Sequence, residues 1–206
     1  MSDGFDRQSL KVFVVDDDAP IRESLALILG LRGYETRLFA SAEAFVAEWS
    51  PQWAGCVLAD LRLPGMSGLE LQAWAGEQGS KIPFVIITAH GDVPAARAAF
   101  RAHAVDFLEK PFEDEQLRDA VERAFAIEQA RLGRLDVERA DVAKLQRLTV
   151  REREVLDHVT NGLHAKEIAC ALGISARTVE VHKSRIMDKL EVRNIAELVR
   201  LALSAR

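Results

Sequence analysis

Acidic residues end two apolar runs in the first third of the chain. Asp16 and Asp17 follow one run and Asp60 follows another, whereas a third run ends at Thr88 and Lys110 comes just after a fourth. If these runs are neighbouring parallel strands, their carboxyl ends meet at one edge of a sheet, where open α/β sheets bind ligands. Carboxylates grouped with a hydroxyl and an ammonium suit a divalent metal ion and a phosphoryl group.

The elements that must position these residues are predicted in residues 1–126, where short apolar runs alternate with amphipathic helical patterns. This alternation predicts the α/β class, with a doubly wound, five-stranded parallel sheet covered by helices on both faces. Asp18 precedes Ala19-Pro20 and is expected to cap the first helix. Strands are predicted near 11–15, 35–39, 55–59, 83–87 and 105–108, and helices near 19–32, 41–49, 67–77, 93–102 and from 113 onward.

Asp60 is the residue that we expect to accept phosphate, because a carboxylate can attack phosphorus when a metal offsets the repulsion between the two anions. Asp17, helped by Asp16, is expected to hold that metal, and hard oxygen ligands beside an anionic substrate favour Mg²⁺. Lys110 would neutralise one phosphoryl oxygen and Thr88 would donate to another. A lone acid at a strand end is usually a solvated loop residue, but that explanation does not account for such a converging set.

The rest of the chain has only helical patterns. The pattern from Glu113 continues with less apolar character to about Leu145, so residues 127–145 are interpreted as a helical linker; a flexible linker is the alternative. In residues 146–206, Thr149 and Glu152 form a capping-box sequence that starts a helix. Three further helical patterns complete an all-α, four-helix domain near 166–172, 176–190 and 195–204.

Composition and charge limit the class of protein. The 206 residues are 49% hydrophobic and 29% charged, which is typical of a globular protein. No apolar stretch approaches the roughly 18 residues of a membrane span and no signal peptide is recognisable, so we expect a cytoplasmic protein with no membrane contact. Residues 1–126 contain 12 Lys and Arg against 20 Asp and Glu, but residues 146–206 contain 11 against 8, which suggests two domains with different partners. Cys56 and Cys170 lie in apolar patterns and are predicted to be buried thiols.

The pattern of a short helix, a turn at 173–175 and a longer helix at 176–190 predicts a helix-turn-helix whose second helix enters a major groove. Val179, Ile186 and Leu190 share one face of that helix and should pack inward. The opposite arc is predicted to face base edges and contains Arg177, Glu180, Val181, Ser184 and Arg185. The side chains predicted to contact phosphates are Lys166, Thr178, His182, Lys183 and Lys189.

The segments VVDDD, LADLRLPGMSGLEL, VIITAHGDVP and AVDFLEKPF resemble the receiver domain of two-component response regulators, in particular the FixJ type, over most of residues 10–125. The resemblance implies a flavodoxin-like fold, a main-chain metal ligand at the carbonyl of Arg62, an aromatic switch at Phe107 and a cis bond between Lys110 and Pro111. Asp60 matches the family's phospho-acceptor, and Asp16 and Asp17 match its acidic pair. Thr88 matches the switch hydroxyl, and Lys110 matches the lysine.

The segments LTVREREVL, KEIACALGIS and RTVEVHKSRIMDKLEVRNIAELV resemble the LuxR/FixJ four-helix DNA-binding domain over nearly all of 146–204. This resemblance implies that helix 176–190 is the recognition helix and that the last helix is a dimerisation surface. His182 matches the family's T-V-x-x-H position, and supporting the packing or a backbone contact is as good an explanation for it as sensing pH.

Together the two resemblances imply a phosphorylation-activated transcription factor that is not an enzyme. The implied partners are a sensor histidine kinase, promoter DNA, RNA polymerase and, on phosphorylation, a second copy of the chain. Phosphate on Asp60 with Mg²⁺ bound would recruit Thr88 and Lys110 and turn Phe107 inward. That movement would reshape the surface of helix 93–102 and strand 105–108.

Two other classes of function are alternatives to this interpretation. A Mg²⁺ phosphatase that forms an aspartyl phosphate commonly needs an acid two residues after the nucleophile, but Arg62 occupies that position. A helical domain that recruits protein rather than DNA is the other alternative, because any amphipathic helix has a charged face.

Overall fold

The computed structural model describes residues 10–89 and 93–204, and the chain divides after Arg131 into two compact units. The strands are β1 (Lys11–Val15), β2 (Glu35–Phe39), β3 (Gly55–Asp60), β4 (Phe84–Thr88) and β5 (Asp106–Glu109). The helices of the first unit are α1 (Ala19–Leu31), α2 (Ala42–Glu48), α3 (Gly68–Glu77), α4 (Val93–Arg101) and the first part of α5 (Asp114–Gln146). The second unit contains the last part of α5 followed by α6 (Val150–Thr160), α7 (Ala165–Leu172), α8 (Ala176–Leu190) and α9 (Ile195–Ser204).

Within the described residues, five strands form one parallel sheet in the order β2-β1-β3-β4-β5, which confirms the predicted fold class. The centre of the sheet is apolar on both faces, since every residue of β3 and β4 is buried. The register places Val15 beside Ala59, and Asp60 beside Ile87. The carboxyl ends of β1, β3 and β4 therefore lie together at one edge.

Local signals in the sequence explain where the helices begin. Asp18 caps α1 by accepting a hydrogen bond from the backbone N–H of Ile21, as predicted. The predicted capping box of α6 is also present, because Thr149 and Glu152 each bond to the backbone of the other. Helix α7 ends at Gly173, whose φ of 65° is a left-handed conformation that glycine adopts without strain.

The second unit has its own apolar core, to which α8 contributes Val179, Ile186 and Leu190, all fully buried as predicted. One thiol prediction was wrong: Cys56 is buried, but Cys170 is exposed. Every helix in the described ranges is too short or too polar to span a lipid bilayer. The proposed limits of the domains stay a prediction, and their outer limits at residues 1 and 206 lie outside the described residues.

Candidate phosphoryl-acceptor site and nucleic-acid interface

The carboxyl edge of the sheet brings together the ends of three strands and the segment after β5. Asp16 follows β1, Asp60 ends β3 and Thr88 ends β4; Asp16 and Thr88 are almost completely buried, and Asp60 is 9% exposed. The ammonium of Lys110 lies 2.6 Å from Oδ2 of Asp60 and 2.7 Å from Oδ2 of Asp16. One cation thus bridges two crowded carboxylates.

The burial of this bridge perturbs its ionisation. Burial raises the pKa of Asp16, and the hydrogen bond from Lys110 offsets this effect only in part. For Lys110, burial alone would lower the pKa, but its bonds to Asp16 and Asp60 outweigh that effect and the pKa is raised. The lysine therefore stays charged between its two acidic partners.

Backbone groups fix the acceptor carboxylate. The backbone N–H of Arg62 donates to Oδ1 of Asp60 at 2.8 Å, and the N–H of Leu61 donates to the carbonyl of Ile87 at 2.7 Å. Gly68, the first residue of α3, passes so close that a Cβ atom there would lie 2.3 Å from the carbonyl oxygen of Asp60. Only glycine allows α3 to start this close to the acceptor.

Thr88 ends β4 and is fully buried, and Phe107 lies in the neighbouring strand β5. The carbonyl of Thr88 accepts a hydrogen bond from the backbone N–H of Lys110 at 2.7 Å. Phe107, in β5, is half-buried and packs against a core of buried apolar residues in the first unit. The Lys110–Pro111 peptide is cis, as expected.

The donor atoms for a metal ion are only partly assembled. Asp17 is exposed, and within residues 10–89 and 93–204 no three His, Cys, Asp or Glu side chains form a ready-made metal-binding group. Asp16 and Asp60 nevertheless offer hard carboxylate oxygens around a shared cation. Mg²⁺ usually takes one or two protein carboxylates and keeps several waters, so the chemistry of this donor set fits that ion.

The predicted nucleic-acid interface lies on α8 and includes one residue of α7. The residues expected to face base edges are all exposed, namely Arg177, Glu180, Val181, Ser184 and Arg185. Of the residues expected to contact phosphates, Lys166 is exposed, whereas Thr178, His182, Lys183 and Lys189 are half-buried. Lys183 pairs with Glu180 at 3.0 Å.

Lys189 has an ion-pair partner that the sequence does not predict. Its ammonium donates to Oε2 of Glu152 at 2.7 Å, so its nearest charged partner is a buried carboxylate of α6. The sequence predicts the capping role of Glu152 but gives no sign of this second bond. It likewise gives no sign that Glu128 of α5 is fully buried and bound to Arg131 and to the N–H of Gly55.

Comparisons with known proteins agree with this geometry. Residues 12–122 match the family model described as the response regulator receiver domain, and residues 146–202 match bacterial regulatory proteins of the luxR family. The chain is 46% identical to the transcriptional regulatory protein FixJ of Rhizobium meliloti, over 94% of this chain and 95% of that protein. It resembles the solved structure of the response regulator StyR with a TM-score of 0.81 and 42% identity, over 95% of this chain and 98% of that one. Full-length FixJ from B. japonicum matches with a TM-score of 0.56 and 40% identity, over 95% and 96% of the two chains.

Proposed function

The chain belongs to the response regulators that join a receiver domain to a luxR-type DNA-binding domain, and we propose that phosphorylation of Asp60 activates it for binding to promoter DNA. The protein is a transcriptional regulator of a two-component system, so its partners are a histidine kinase and DNA. The observation that supports the role of Asp60 most directly is its contact of 2.6 Å with the ammonium of Lys110 at the carboxyl edge of the sheet.

The proposed domains follow from this pairing of a receiver with a DNA-binding domain. Residues 1–126 act as the receiver, residues 127–145 as a helical linker and residues 146–206 as the DNA-binding domain. The continuity of α5 from Asp114 to Gln146 supports a helical rather than a flexible linker.

Phosphoryl transfer requires one bond to form and one to break. A carboxylate oxygen of Asp60 attacks the phosphorus of a phosphohistidine on the kinase, and the bond between phosphorus and nitrogen breaks. The electron pair of that bond leaves with the imidazole ring. Lys110 offsets the charge of one phosphoryl oxygen, and the hydroxyl of Thr88, at the end of the neighbouring strand, donates to another.

Mg²⁺ is the expected cofactor of this step. Its protein ligands would be Asp16, Asp17, Asp60 and the main-chain carbonyl of Arg62. When bound, the ion would supply positive charge that reduces the repulsion between the carboxylate and the incoming phosphoryl group. The crowding of Asp16 and Asp60 around a single ammonium supports a site that favours cations.

Activation then depends on a change at the surface of α4 and β5. Recruitment of Thr88 to the phosphoryl group would allow Phe107 to turn inward, which is a two-state movement of the kind that phosphate ligands bias. Helix α4 exposes 72% of Val93 and 52% of Phe100, so this face offers apolar area for pairing with a second receiver. A homodimer would place two copies of α8 on adjacent half-sites of DNA.

The DNA-binding role of the second unit is supported by the exposed arc of α8. Arg177 and Arg185 can bond to guanine, Glu180 can accept from cytosine, and Val181 can contact a thymine methyl group. RNA polymerase is the expected further partner at a promoter, and the cytoplasm is the expected compartment. No phosphatase activity is expected, because Arg62 occupies the position where such enzymes place a proton-donating acid.

Phosphorylation of the full chain tests the role of Asp60. Incubation with acetyl phosphate and Mg²⁺ should give one hydroxylamine-labile phosphoryl adduct, detected by intact mass and mapped to Asp60. The Asp60→Asn variant should give none, whereas Thr88→Ala should keep an adduct but lose the response to it. An adduct on another residue would refute the assignment.

Occupancy of DNA tests the activated state. Genome-wide mapping of bound sites should show that occupancy collapses in Asp60→Asn, because an amide does not carry phosphate. Analytical ultracentrifugation with a beryllofluoride mimic should show a dimer of the wild-type chain and a monomer of Asp60→Asn. An electrophoretic shift with promoter fragments should be abolished when Arg177→Ala and Lys183→Ala are combined. Failure of the wild-type chain to bind any promoter fragment, phosphorylated or not, would favour a protein-recruiting role for the second unit.

A further inference from the structure

Two adjacent residues at the start of α6 each reach a different helix of the helix-turn-helix. Arg151 donates to the carbonyl oxygen of Leu172, the last residue of α7, and also pairs with Glu154 at 2.6 Å. Its neighbour Glu152 accepts from Lys189, in the last turn of α8, at 2.7 Å. The first turn of α6 thus contacts the end of both helices that form the DNA-binding motif.

The carboxylate of Glu152, which contacts α8 through Lys189, is held in one geometry. Glu152 is only 3% exposed, and the same oxygen, Oε2, also accepts from the backbone N–H of Thr149 at 2.8 Å and from its hydroxyl at 3.0 Å. These bonds fix the carboxylate before Lys189 reaches it, so the ammonium has one favoured position. A buried carboxylate that lost this partner would be left without its compensating charge.

The contact between Arg151 and α7 stabilises the carboxyl end of that helix. The last carbonyl groups of a helix have no partner within the helix, and a cation near them also interacts favourably with the helix dipole. Arg151 supplies a hydrogen-bond donor and a positive charge at Leu172, immediately before the turn at Gly173 that leads into α8.

We propose that Arg151 and Glu152 are positioning residues that set the angle of the recognition helix, and that Lys189 acts through Glu152 rather than as a ligand of a DNA phosphate. This inference depends on the DNA-binding function proposed above for the second unit. It assigns a role in DNA affinity to two side chains that would themselves touch no DNA.

The test compares binding of the phosphorylated full chain to a duplex that the wild-type protein selects from a random library. Affinity is measured over a series of salt concentrations for wild type, Glu152→Gln, Lys189→Gln, the double variant and Arg151→Gln. Asp188→Asn is the matched control, because Asp188 is exposed, lies next to Lys189, and has no side-chain ion pair in the part of the chain that the structure describes. Each measurement is made at a temperature well below the midpoint of thermal unfolding of the variant, which is determined by circular dichroism.

The expected result separates position from charge. Removing a negative charge strengthens the attraction to DNA, so Asp188→Asn should bind as tightly as wild type or more tightly. Glu152→Gln should instead bind about tenfold more weakly, comparable to the loss of one specific base contact. Lys189→Gln and Arg151→Gln should lose a similar factor, and the double variant should lose no more than either single variant of the pair, because the two residues act as a unit.

The dependence on salt decides the role of Lys189. A lysine that binds a phosphate contributes about one unit to the slope of log affinity against log salt, whereas a positioning lysine contributes none. A lower slope in Lys189→Gln, or wild-type affinity in Glu152→Gln, overturns the inference while leaving DNA binding intact. If Glu152→Gln does not fold, the slope of Lys189→Gln still decides. If wild type selects no duplex, the proposed function fails and the inference fails with it.

Discussion

The ammonium of Lys110 lies 2.6 Å from Oδ2 of Asp60, the carboxylate proposed to accept the phosphoryl group. The same ammonium lies 2.7 Å from Asp16, so the lysine already provides the positive charge that this pair of acids requires. Addition of phosphate to Asp60 must therefore rearrange the bonds of Lys110. The stability of the receiver should depend on this cation and on any metal ion that can share its role.

Removal of the cation should destabilise the first unit. In Lys110→Met, Asp16 and Asp60 repel each other with no compensating charge, and we expect the free energy of unfolding to fall by about 2 kcal/mol. Added Mg²⁺ should raise the stability of this variant more than that of wild type, because the ion would relieve the same repulsion. Urea unfolding followed by tryptophan fluorescence measures this change, since Trp49, Trp53 and Trp74 all lie in the first unit.

Lys81→Met is the matched control for that experiment, because Lys81 is an exposed lysine of the same unit. We expect its stability and its response to Mg²⁺ to equal those of wild type. Equal responses to Mg²⁺ in Lys110→Met and wild type would show that the ion does not share the site of the lysine.

The approach of α3 to the acceptor gives a second prediction. In Gly68→Ala the new Cβ atom would meet the carbonyl oxygen of Asp60, a backbone atom with little freedom to move. We expect a loss of about 1–3 kcal/mol in the stability of the first unit and slower phosphorylation by acetyl phosphate. Both follow from displacement of the segment that holds Asp60.

Gly76→Ala provides the comparison within the same helix. No atom lies within 4 Å of the Cβ position at Gly76, and glycine in a helix is less favourable than alanine. This variant should gain about 0.5–1 kcal/mol and be phosphorylated at the wild-type rate. A stable, rapidly phosphorylated Gly68→Ala would contradict the proposed crowding at Asp60.

The buried ion pair of α5 leads to a third prediction. Glu128 is fully buried and accepts from Arg131 at 2.7 and 2.6 Å, and it also accepts from the N–H of Gly55 at 3.4 Å. Arg131→Met should cost about 3 kcal/mol, because it leaves a buried carboxylate without its cation. The double variant Glu128→Met, Arg131→Met should be less destabilised than Arg131→Met alone. A double variant that loses the sum of the two single losses would mean that the residues are independent.

Signals that lie close together in the sequence predicted most of the fold. The apolar runs gave the strands to within one residue at either end, and the capping residues Asp18 and Thr149 gave the starts of their helices. The grouping of Asp16, Asp60 and Lys110 was predictable because parallel strands end at one edge of the sheet. The pairing of two side chains on different helices was not, and Glu152 with Lys189 is such a pair. Cys170 was placed wrongly because two residues along a helix span about 200°, so it lies opposite the buried Ile168.

Glu152, the buried glutamate of α6, gives a fourth prediction, which concerns how stability depends on pH. Burial acts to raise the pKa of Glu152, but the bonds from Lys189 and Thr149 outweigh it and lower the pKa from 4.5 to about 2. An acid whose pKa is lower in the folded state stabilises that state above its unfolded pKa, and this contribution disappears as the pH falls. Glu152→Gln should therefore be about 1–3 kcal/mol less stable than wild type at pH 7. The difference should shrink between pH 4.5 and about 2.

Urea unfolding followed by circular dichroism, with tryptophan fluorescence to separate the first unit, measures this difference. A gap that stays constant down to the lowest pH would show that the carboxylate charge does not stabilise the second unit, and Asp188→Asn should show little difference at any pH.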